Sequence, residues 1–280
     1  ASPNTVIGAN AGASNTTATN MVAVGYGTLT ANTTGVNNTA VGGHDCLSAN
    51  VDGYDNTAIG AQSMKSITTG GSNVSLGHQS LYSNTIGGNN VSLGVGSMYT
   101  NTNSSHTVAI GWRALNQLNG GASNNAIGTS SQRYNETGIQ NTSFGYQALM
   151  GSSGNSHNYN TAIGASSQLV MTGSSNSSLG SSTLSNATSA NYNVAVGSMA
   201  LNELTTGDSN IGIGLSASRY NETGADNVAI GFEALKGVSG NSHSNNTAIG
   251  YESMKGTTTG NKNVAVGTSS LSASTTSIGN

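Results

Sequence analysis

Charge, aromatics, proline and cysteine are all scarce in this 280-residue chain. Lys and Arg number 7, Asp and Glu number 10, and charged residues make up only 6% of the total, against about a quarter in an ordinary soluble domain. Seven basic residues scattered along the sequence offer no patch able to neutralise several phosphates, which argues against nucleic-acid binding. The same shortage argues against docking on an anionic membrane surface. No run approaches the ~20 apolar residues of a spanning helix, so no membrane insertion is expected, and neither leader nor anchor is read here. Cys46 has no second cysteine with which to form an internal disulfide. One proline among 40 glycines that do not fall at every third position excludes collagen.

What the chain does have is Gly, Ser, Thr and Asn, which together exceed half of it. At 34% apolar, such a composition ordinarily stays disordered, because little apolar surface is available to offset chain entropy. Periodicity overturns that reading. A five-residue cell of Asn, Thr or Val, a small residue, Ile, Val or Leu, and Gly recurs sixteen times. It closes on glycines from Gly8 and Gly25 through Gly94, Gly111 and Gly128 to Gly250 and Gly267, with a period of 17 and rare insertions. Asn56-Thr57-Ala58-Ile59-Gly60 and Asn193-Val194-Ala195-Val196-Gly197 are representative. A small residue stands three positions after the glycine and a Leu or Met four after, as in Ala114-Leu115 and Ser253-Met254. A turn signal follows, often Thr-Thr-Gly, as at Gly35, Gly70, Gly207 and Gly260.

The pattern predicts an all-β fold: a parallel β-solenoid of about sixteen 17-residue coils, continuous over 1–280. Helices are excluded by the Gly, Asn, Ser and Thr content and by the absence of a 3.6 period. Each coil is expected to hold two extended pieces and two turns. In the strand cell the Thr or Val and the Ile share one side and the small residue takes the other. We expect the Ile side to form the core and the small residues, such as Ala23, Ala58 and Ala109, to form a smooth ridge against sister chains. Tight packing within one solenoid accounts for small residues equally well. The glycine suits a corner of positive φ, and the recurrent Asn suits a side-chain ladder between coils or a turn cap.

These cells resemble the head repeats of YadA-type trimeric autotransporter adhesins. The longer form, Asn141-Thr142-Ser143-Phe144-Gly145-Tyr146-Gln147-Ala148-Leu149, with its counterpart from Asn227 to Leu235, is similar to repeats of YadA-like phage tail-fibre and virion structural proteins. The resemblance covers nearly the whole chain and implies a homotrimer of left-handed parallel β-rolls serving as an adhesive head or fibre shaft. Because no coiled-coil stalk, anchor or secretion signal is read, the expectation leans to a phage tail fibre or virion appendage used in host attachment, with a bacterial surface adhesin head as the alternative. Expected partners are sister copies, other fibre or virion proteins, and a host-surface glycan or protein receptor. No cofactor and no metal are expected.

A longer repeat overlies the short one. Segments 131–157 and 217–243 are related by a shift of 86 residues, which carries Arg133-Tyr134-Asn135-Glu136 onto Arg219-Tyr220-Asn221-Glu222. Candidate binding residues fall into two sets. Tyr26, Trp112, Tyr146, Phe232 and Tyr251 occupy the position just after the corner glycine, where an aromatic face can stack on a sugar ring. The rival reading has these rings filling gaps between coils or chains. Arg133 and Tyr134, with their copies Arg219 and Tyr220, lie where the Leu position has become Gln132 or Ser218, so the tyrosine either supplies the lost apolar contact or marks a paired surface site. His44, Asp45 and Cys46 are ligand types, but three adjacent strand residues cannot face one ion. His106, His157 and His243 fall in predicted turns and are expected to be solvated. Acids are spread thinly over the coils, with Glu222, Asp226 and Glu233 nearest to a cluster, and no nucleophilic constellation stands out, so a non-enzymatic role is expected. A polysaccharide-degrading tailspike and an ice-binding solenoid are remote alternatives.

Overall fold

The computed structural model describes residues 3–273 and 275–279. The chain forms two compact units, Ala1–Gln140 and Asn141–Asn280. The first carries β1 (Thr5–Ile7), β2 (Val22–Val24), β3 (Thr39–Val41), β4 (Thr57–Ile59), β5 (Val74–Leu76), β6 (Val91–Leu93), β7 (Val108–Ile110) and β8 (Asn125–Ile127). The second carries β9 (Thr142–Phe144), β10 (Thr161–Ile163), β11 (Ser177–Leu179), β12 (Val194–Val196), β13 (Ile211–Ile213), β14 (Val228–Ile230), β15 (Thr247–Ile249) and β16 (Val264–Val266). Within each unit every strand pairs in parallel with the next in sequence. Ala109 of β7, for example, lies between Ser92 and Ala126. Each unit is therefore a parallel β-solenoid with one strand per repeat. No helix forms among the described residues, so none is long and apolar enough to cross a membrane.

The strands stop at three residues because the flanking positions spend their hydrogen bonds otherwise. The Asn that opens each cell gives its N–H to the Asn side chain one coil earlier: Asn73 to Asn56 Oδ1 at 3.1 Å and Asn90 to Asn73 Oδ1 at 3.0 Å. Its own amide nitrogen reaches the carbonyl of a turn residue, as Asn73 Nδ2 does to Gly87 O at 3.0 Å. The same ladder runs through Asn193, Asn210 and Asn227 in the second unit. At the other end the chain bends sharply. Gly94 has φ 134°, and a Cβ there would lie 2.5 Å from the carbonyl oxygen of Gly111. Only glycine tolerates both that conformation and that approach. The second extended piece expected in each coil does not form a strand: outside β1–β16 the described residues show only isolated bridges, such as Asn221 with Asn241 and Asn261 with Ile278.

The faces of the strands are the reverse of the sequence expectation. Ala23, Ala58 and Ala109 are wholly buried, as are Ala162, Ala195 and Ala229 in the second unit. Facing them are the Leu and Met residues four past the corner glycine, among them Met64, Leu81, Met98 and Leu115, and Leu149, Leu184, Leu201 and Leu235. The Thr or Val and the Ile, Leu or Phe point outward, leaving Leu76 49%, Phe144 56% and Val266 67% exposed. The reason is the width of the coil. With one long side chain entering from the turn, little room remains opposite it: where the small position is Gly212, an added Cβ would sit only 3.0 Å from Leu201 Cγ. The small residues are thus core and not a ridge for sister chains.

The core Leu and Met residues have left-handed backbone, φ 47° at Met98 and 48° at Leu115. That conformation costs an ordinary residue about 1–2 kcal/mol, which complete burial of the side chain, at about 1.5–3 kcal/mol, offsets.

Candidate functional site

Every aromatic that follows a corner glycine is on the outside. Tyr26 is 51% exposed and tilts against His44 at 5.7 Å between ring centroids. Tyr146 and Tyr251 are similarly open, and Phe232 and Tyr251, one coil apart, stack at 5.1 Å. None of these rings fills a gap inside its coil. Trp112 lies beneath two guanidinium groups, with Arg113 Cζ 4.6 Å and Arg133 Cζ 6.0 Å from a ring centroid of the indole.

Arg133 also lies over Tyr134 at 4.9 Å, and its duplicate Arg219 over Tyr220 at the same 4.9 Å. Both tyrosines are half-buried at the surface, so neither supplies the missing apolar contact. Gln132 itself turns into the core position and donates from Nε2 to Asn125 O at 2.9 Å. The Arg–Tyr stack thus recurs with the same geometry in both copies of the block.

The remaining partners share one position of the repeat, five after the corner glycine. It holds Lys65, Tyr82, Tyr99, Asn116 and Arg133 in the first unit and Arg219, Lys236 and Lys255 in the second. Five of the 7 basic residues fall there, in successive coils in the second unit but separated by Tyr82, Tyr99 and Asn116 in the first. Tyr82 and Tyr99 stack at 5.0 Å with an interplanar angle of 13°. In the second unit Glu233 is clamped between Lys236 and Lys255, both at 2.6 Å, and Lys255 also reaches Glu252 at 2.8 Å. Those ammonium groups, Lys236 first, hold the Glu233 carboxyl below its ordinary range. This four-charge group is internally neutral. Compared with known proteins, the chain matches no family model, no curated protein and no solved structure.

Two clefts lie against residues at that repeat position. In the first unit a cleft of about 300 Å³ is lined by Gln79, Val95, Gly96, Tyr99, Trp112, Arg113 and Asn116. In the second unit a more open one of about 470 Å³ is lined by Tyr220, Lys236, Gly237, Val238, Ser239, Lys255 and Gly256. The first brings together Trp112 with residues that the sequence reading did not single out.

Among the described residues no three His, Cys, Asp or Glu side chains gather as a ligand set. His44 pairs with Asp45, and Asp45 with Lys65, both at 3.1 Å, while Cys46 turns inward and donates to Ala58 O at 3.3 Å. Burial pushes the Cys46 thiol up to about 12. The acids nearest to a cluster are separately engaged: Glu222 accepts the Gly240 N–H at 2.8 Å, and Glu233 binds its lysines. His106 is exposed as expected, but His157 and His243 are not solvated. Their rings are 0% and 2% exposed, with no hydrogen-bond partner at either nitrogen.

Proposed function

We propose that the chain is a non-enzymatic structural segment of an extracellular fibre, a phage tail fibre or related virion appendage used in host attachment. In this reading it assembles as a homotrimer, joins other fibre or virion proteins, and meets a host-surface glycan or protein as its outside partner. The observation that carries the reading is the outward face of the sheet. In each unit it repeats a Val or Thr column beside an Ile, Val or Leu column, with Leu76, Phe144, Leu179 and Val266 among the side chains left in water. A contiguous apolar patch of this kind is characteristic of an interaction surface. Its one-coil repeat matches that of another copy of the same chain, which favours self-association in register. The buried Asn ladder adds rigidity along the stack, because coil-to-coil bonds inside a dry core are lost only when neighbouring coils separate.

Electron microscopy of the source particle, labelled with an antibody to this chain, tests the reading. Label on thin fibres at a virion tail is the expected result. Label on a cell surface would replace it with the surface-adhesin reading. A native mass equal to one chain, with the β signal intact, would sink the trimer.

A further inference from the structure

The cleft at Trp112 has a definite origin. The column two past the corner glycine carries Gln62, Gln79, Gly96 and Arg113 in successive coils. Gln79 donates to Gln62 at 2.9 Å, but Gly96 has no side chain, which leaves a notch one coil high. A Cβ at Gly96 would sit in ordinary van der Waals contact with Asn116 Nδ2 at 3.6 Å and Arg113 Cγ at 3.7 Å, so a side chain can start there without a clash. Trp112 and Tyr99 wall the notch, and Asn116 Nδ2 holds the Gly96 carbonyl at 2.7 Å.

The charge at this notch is unbalanced. Around it stand two arginines, Arg113 and Arg133, and from 56 to 140 the sequence has one acid, Glu136, while Lys65 is already paired with Asp45. Neither guanidinium is paired with a carboxylate among the described residues. Arg133 Nε is buried with no acceptor. Two guanidinium groups near one indole make this part of the surface positive, which attracts an anion. The contrast with the lysines of the second unit, neutralised by Glu233 and Glu252, is direct. So is the contrast inside the duplication. The Arg219–Tyr220 pair repeats Arg133–Tyr134, but Ser198 and Met199 stand where Trp112 and Arg113 would recur. The Arg–Tyr stack therefore belongs to the repeat, whereas the indole and second guanidinium belong to the first unit alone.

We propose that this notch binds an acidic saccharide, the carboxylate of a uronic-acid-type sugar meeting Arg113 while the sugar's apolar face packs on Trp112 and Tyr99; Arg133, which does not line the notch, adds positive charge from the coil beyond Trp112. A guanidinium stacked on a ring keeps its N–H donors at its edge, where a carboxylate takes two of them side by side. The part-exposed indole of Trp112 supplies the other half of saccharide recognition. The proposal rests on the attachment reading above and narrows its outside partner to a chemical class.

Trp112 is the chain's single tryptophan, so its fluorescence reports on the notch alone. Titration of the 280-residue chain with oligogalacturonate is expected to give a saturable emission change that weakens with added salt. Cellopentaose and sodium sulfate, at equal concentration, are expected to give at most a small one. R113Q/R133Q should lose at least about tenfold in affinity. G96Q should abolish binding while leaving the β signal and its melting intact, since Gln62 and Gln79 occupy the same column at φ 58° and 56°, close to the 64° of Gly96. The proposal is overturned by silence with oligogalacturonate, by an equal response to cellopentaose or sulfate, or by binding that survives R113Q/R133Q. A labelled trimeric fibre with a silent Trp112 would remove the saccharide site and leave the fibre. A responsive Trp112 on a monomer would do the reverse.

Discussion

His157 and His243 illustrate how much a single position can depend on its surroundings. Each falls in a Gly-Asn-Ser-His turn of the duplicated block, a context that suggests solvent, yet each imidazole is buried with both nitrogens unpartnered. Burial disfavours the charged form and lowers both from 6.5 to about 4. The unfolded chain takes up protons at these two sites as pH falls through 6.5, and the folded chain does so only near 4, so stability falls with pH across that window. Fully expressed, the loss is roughly 3 kcal/mol per imidazole. Urea unfolding midpoints measured between neutral pH and pH 4 should drop for the native chain. H157L/H243L should flatten the dependence, and an unchanged slope in that variant would remove these histidines as its cause.

The coil is the element, and it is held by two kinds of buried contact. Its apolar half is one Leu or Met against one small residue; its polar half is the Asn ladder. Asn193 accepts from Asn210 N at 2.8 Å and Asn210 Nδ2 at 3.2 Å, and donates to Gly207 O at 3.0 Å. Asn193→Ala strands the Asn210 N–H and the Gly207 carbonyl in a dry interior, while Asn210 Nδ2 keeps its bond to Gly224 O, and a cost of about 3 kcal/mol is expected from the lost desolvated bonds. Asn186→Ala, which deletes an exposed bond to Glu203, should stay within about 0.5 kcal/mol. Equal urea midpoints for the two variants would refute the ladder's role. The 17-residue period, the corner glycines and the Asn ladder were legible in sequence because each is a backbone requirement met by one residue type at one spacing. The left-handed Leu and Met positions were not legible, since propensity points Leu away from that conformation and only burial reverses the preference.

At the scale of the molecule the outward apolar columns decide how the chain presents itself. Ile230, read from sequence as core, points outward and is half-buried. Ile230→Asp is therefore expected to cost the separated chain only about 1 kcal/mol, while placing a charge on the face through which copies are proposed to meet. Native mass of the variant should show the monomer, with circular dichroism still giving a cooperative melt. Loss of the melt in the dissociated chain would return Ile230 to the core. The aromatic positions after the corner glycines were legible as candidates because a break in a repeat marks them. Their grouping was not: Trp112 with Arg113 and Arg133, and Phe232 with Tyr251, meet only once coils are stacked.

The sequence by itself determined that this chain winds into coils, one per repeat, because periodic glycine, asparagine and alternating strand cells admit no helix and no single packed globule. Which face of each strand turns inward was decided only by the tertiary structure. Alternation separates Ile from Ala without ranking them, and the narrow coil, already filled by Leu or Met from the turn, has room only for the smaller one.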